Sequence, residues 1–103
     1  MPNFFRELDI GKNIKAIEWL KAELLDNTAG LFRAFLKGNE EILTDYLSNI
    51  VILAYTLGRR LGIGYKQLDQ HMLDKLTKNT LPIQKNSEWY GDLSEFKEHI
   101  GKR

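Results

Sequence analysis

Leu24-Leu25-Asp26-Asn27-Thr28-Ala29-Gly30-Leu31-Phe32-Arg33-Ala34-Phe35-Leu36-Lys37-Gly38-Asn39 contains the end of one helix, its stop signal and the cap of the next. Leu24, Leu31 and Phe35 continue a series begun by Ile14, Ile17 and Leu20. Their intervals of three, four or seven residues are those of one helical face. The spacing predicts one long helix, or two nearly continuous ones, from Asn13 to Lys37. Gly38 ends it, because glycine tolerates the left-handed backbone that closes helices. Asn39 then caps a second helix, with Glu40 and Glu41 in its positive first turn. Gly30 costs about 1 kcal/mol relative to alanine inside a helix, so a kink or a close contact is expected there.

The second helix is predicted to run to Arg60, where Arg59 and Arg60 suit the negative end and Gly62 and Gly64 break the pattern. A third helix covers Tyr65 to Asn79 and carries Leu68, Met72, Leu73 and Leu76. Thr80 to Gly91 reads as a loop. Asp92 with Glu95 resembles a capping box that opens a short last helix, ending near Ile100. No strand alternation, repeat or low-complexity tract interrupts this reading. The expected fold is all-α, a bundle of about four helices in one domain over 1–103. Residues 1–12 form an arm, and 80–103 form a loop and a short helix.

Composition narrows the function. The chain has 103 residues, 15 basic and 14 acidic side chains and no cysteine. With charges mixed and no basic stripe, nucleic acid is not an expected partner. A disulfide scaffold, a thiolate metal site and a cysteine nucleophile are excluded. The most apolar run, Ile50 to Tyr55, is far short of the roughly 20 residues of a membrane helix, and the N-terminus does not resemble a signal peptide. A cytoplasmic location is expected. The second helix is apolar around most of its circumference, and the first adds Leu25, Phe32 and Leu36 beside its main stripe. Faces so wide need cover on more than one side. A homodimer or higher homo-oligomer built on the two long helices is expected; the alternative is that the last two helices wrap back.

The stretch from Leu24 to Asn39, followed by Tyr46-Leu47-Ser48-Asn49-Ile50-Val51, resembles the MazG superfamily, and most closely its MazG-like branch of small bacterial proteins. Leu61-Gly62-Ile63 and Lys75-Leu76-Thr77-Lys78-Asn79 continue the resemblance. It implies an all-α oligomer related to enzymes that cleave nucleoside triphosphates to monophosphate and pyrophosphate with magnesium. In the catalytic families the first motif helix carries E-E-x-x-E and the second E-x-x-D. Such spacings put carboxylates on one helical face, and magnesium takes oxygen ligands. Here the first motif falls on Asp26, Asn27 and Gly30, and the second on Tyr46 and Asn49. One acid of five remains.

The resemblance therefore implies a site that holds magnesium weakly or not at all. Asp26 and Glu23 are the candidate catalytic residues, and Asp26, Glu23 and Asp45 the candidate metal ligands. Asn27, Asn49, Lys75 and Asn79 are candidates for contact with a nucleoside triphosphate. Plainer readings stand beside these: Glu23, Asp26 and Asp45 as solvated surface, Asn49 as an amide that fixes helix register, Lys75 and Asn79 as surface. His71 and His99 lack metal-ligand spacing, and Trp89 with Tyr90 reads as an anchor for the tail. Three functions remain open. They are a weakly active or inactive nucleotide-binding relative, an active pyrophosphohydrolase with a rearranged carboxylate site, and a non-catalytic interaction module.

Overall fold

The computed structural model describes residues 10–78 and 87–102. It contains α1 (Ile10–Ala34), α2 (Glu40–Arg60), α3 (Tyr65–Lys78) and α4 (Ser87–Gly101). Among the described residues there is no strand, so the all-α expectation holds. No helix among them is long and apolar enough to cross a membrane. The chain divides into two compact units, Met1–Gly64 and Tyr65–Arg103.

The first unit is a helical hairpin. The α1–α2 turn is built as the sequence suggests. The Leu36 amide donates to Arg33 O and the Lys37 amide to Ala34 O, tightening the end of α1 before Gly38 at φ 62°. Those short bonds end α1 at Ala34, three residues before the expected Lys37. Asn39 caps α2, its side-chain oxygen accepting from the Ile42 amide at 3.2 Å.

The other end of α2 is closed with equal economy. The Ile63 amide donates to Gly58 O at 2.8 Å and the Gly62 amide to Arg59 O at 3.1 Å, with Gly62 at φ 90°. This is the paired closure that leaves the carbonyl of the last helical residue, Arg60, without a backbone partner. Asn13 supplies the missing donor: its Nδ2 reaches Arg60 O at 3.3 Å. Asn13, the expected start of α1, lies inside the helix, and its side chain is used across the hairpin.

Three contacts fix the hairpin as antiparallel: Asn13 with Arg60, Asn27 with Asn49, and Gly30 with Tyr46. The α1 side of the seam follows Asn13, Ala16, Leu20, Glu23, Asn27, Gly30 and Ala34, alternating steps of three and four. Asn13, Leu20, Gly30 and Ala34 are buried there. The large apolar stripe of α1 is not this seam. Of Ile14, Ile17, Leu20, Leu24, Leu31 and Phe35, only Leu20 is buried, while Ile14 and Phe35 are exposed. Small and polar residues let the two backbones approach, so the seam runs beside the large apolar stripe.

In the second unit α3 and α4 pack on each other. Leu68, Met72, Leu73 and Leu76 of α3 are half-buried, as is Leu93, and Ile100 is fully buried. Helix α4 already covers Ser87 to Gly91, so the loop expected there and the capping box at Asp92 are corrected; the rest of the expected loop, 80–86, lies outside the described residues. The stripe Leu93, Phe96, Ile100 extends back to Trp89 at the same spacing. That extra turn outweighs the roughly 1 kcal/mol that Gly91 costs inside a helix.

Candidate functional site

The five positions matching the acidic motifs of catalytic relatives lie in the middle of the hairpin. Four of them meet in pairs. Asn49 Nδ2 donates to Asn27 Oδ1 at 3.0 Å. Asn27 Nδ2 in turn donates to Glu23 O, one turn back on α1, at 2.8 Å. Both asparagines are half-buried, where an amide without a partner would cost about 1–3 kcal/mol.

One turn along, the Tyr46 ring lies directly on Gly30. A methyl group built on Gly30 would meet the ring edge, with Cζ 2.6 Å and Oη 2.9 Å away. Gly30 is buried although it has no side chain, because the tyrosine covers it. The expected close approach at Gly30 is thus present, and α1 continues through it without a break. The space over one of the five candidate positions is thus filled by the side chain standing at another.

The remaining acids take different places. Asp26 and Asp45 are exposed, and Glu23 is half-buried. Among the described residues, no three His, Asp or Glu side chains come together as a metal-holding group. Lys75 is exposed on α3, in the second unit, and Asn79 lies outside the described residues. His99 stacks beside Phe96 on α4, with ring centroids 6.5 Å apart. Trp89 is exposed, and the Tyr90 side chain lies outside the described residues.

Sequence reasoning missed Asn13, which is 2% exposed and lies in the seam. A signal for it exists. Asn13, Leu20, Asn27 and Ala34 recur every seven residues, so the buried leucine and the motif asparagine already mark the column.

An all-α chain, with four helices among its described residues and these motif positions, is a relative of the nucleoside triphosphate pyrophosphohydrolase superfamily. The model of the MazG-like family matches residues 10–93, and the chain belongs to that family. No curated protein and no solved structure matches it.

Proposed function

We propose that this chain is a non-hydrolytic MazG-like protein whose inherited site has been closed by its own side chains. The observation that carries this reading is the direct Asn27–Asn49 hydrogen bond at 3.0 Å. Two carboxylates at that separation repel and need a cation between them. Two amides satisfy each other without one. Tyr46 on Gly30 closes the adjoining space, and Asp26 is exposed, with no group of three acids or histidines around it among the described residues. Magnesium can bind through one or two carboxylates when a triphosphate supplies further oxygens. Asp26 alone, exposed and flanked by these closed pairs, makes a poor start for such a site. A nucleotide held by Asn27 and Asn49 would first have to break the bond between them.

Pyrophosphate release from a panel of ribo- and deoxyribonucleoside triphosphates, with magnesium or manganese, tests the proposal. No release is expected even with enzyme and substrate at comparable concentration. Turnover that disappears in Asp26→Ala would overturn it, and would establish instead a rearranged centre on Glu23, Asp26 and Asp45. Nucleotides are also expected to leave the melting temperature unchanged, since a ligand that binds the folded state raises it.

A further inference from the structure

Asn13 is 2% exposed and is the buried polar side chain among the described residues. A side-chain amide carries two donor hydrogens on nitrogen and two lone pairs on oxygen. Its nitrogen is used, since Nδ2 donates to Arg60 O at 3.3 Å. Its oxygen is not. Among the described residues no donor reaches Asn13 Oδ1, although the atom is buried. Turning the amide over would not help, because it would set Oδ1 against the Arg60 carbonyl, oxygen to oxygen. Arg60 therefore fixes the orientation, and α1 and α2 leave the acceptor without a donor. Burial strips such an atom of its hydration, so folded proteins rarely leave one unmatched.

The surroundings select the chemistry of the donor. Lys12, Lys15, Arg59 and Arg60 stand within one turn of the bonded pair, and all four are exposed. Their charges oppose a further cation at this end of the hairpin. An anion would set negative charge against two acceptors, Oδ1 and the Arg60 carbonyl. An apolar group would leave Oδ1 unmatched. What fits is a neutral donor, and burial of the whole side chain restricts it to a small one. We propose that one water molecule is held at Asn13 Oδ1, inside the end of the hairpin where α2 closes. One of its hydrogens goes to Oδ1. The Arg60 carbonyl keeps a second lone pair beside the Nδ2 bond, and it is the candidate acceptor for the other hydrogen. Two polar partners are the fewest that retain a buried water. Asn13 then ties α1 to the end of α2 twice, once directly and once through the water.

A crystal structure of the full chain, refined where ordered water is visible, tests this together with oxygen-17 relaxation dispersion in solution. A water oxygen is expected about 2.8 Å from Asn13 Oδ1, as well ordered as the side chain itself. In solution, a water held for longer than the molecule tumbles should add a dispersion step. Asn13→Leu should lower that step by one water, whereas Asn39→Ala, at the exposed cap of α2, should leave it unchanged. Where Asn13→Leu does not fold, the crystal structure of the unaltered chain decides. A dry Oδ1 overturns the proposal. So does a protein donor on that atom, whether from residues 1–9 or from a neighbouring copy. An undiminished step in a folded Asn13→Leu protein overturns it as well.

Discussion

Asn49 donates its side-chain amide to the side-chain oxygen of Asn27, joining the middle of α2 to the middle of α1 at 3.0 Å. Both residues are among the five positions that the resemblance marks as acidic in catalytic families. The pair keeps the shape of that arrangement and removes its charge. The two side chains satisfy each other directly across the seam.

Changing one member should show this directly. Asn49→Asp removes the donor and sets a carboxylate against the Asn27 oxygen. A loss of about 1–3 kcal/mol is expected from the unmatched pair, read by urea unfolding at low salt. Asn27→Asp with Asn49→Asp should be less stable still without divalent ions. Added magnesium or manganese should raise its melting temperature more than that of the unaltered chain. Equal stability of all three proteins would remove the pair from the account.

Gly30 gives a test of sign. In an open helix, Gly→Ala stabilises by about 1 kcal/mol. Here the new methyl group would collide with the Tyr46 ring, so Gly30→Ala should instead destabilise by about 1–3 kcal/mol. In a Tyr46→Ala background the same change should become neutral or stabilising. The coupling is measured by a double-mutant cycle, and additive effects would show that the two residues do not touch.

At the far end of the hairpin, Asn13→Ala leaves the Arg60 carbonyl without its side-chain donor. A loss of about 1–2 kcal/mol is expected. Gly62→Ala, at φ 90° in the same closure, should destabilise by a similar amount, since a β-carbon strains that conformation. Both are read as shifts in the denaturant midpoint with the slope unchanged.

The helix stops and caps were legible because they are local. Gly38, Asn39 and the Gly62 break depend on a few neighbouring residues and were placed where the structure has them. The seam was not legible from hydrophobicity. It follows Asn13, Asn27, Gly30 and Ala34, whose small or polar side chains carry no apolar signal, while the residues that do carry it lie to one side. The start of α4 was missed because Gly91 weighs against a helix locally, whereas the stripe through Trp89 acts over a longer range. Motif alignment marked candidate positions, but not their pairing. That Tyr46 fills the space above Gly30, or that Asn27 meets Asn49, depends on how two helices fit, and one-dimensional spacing does not contain it.

Asn13 and Asn27 are fourteen residues apart on α1, about four turns or 21 Å. Each reaches a different, definite point on α2. Sliding one helix by a single turn would break both contacts at once. The two contacts behave like the teeth of a vernier, locking the hairpin in one position. Alignment of the two helices is thus secured from within the hairpin.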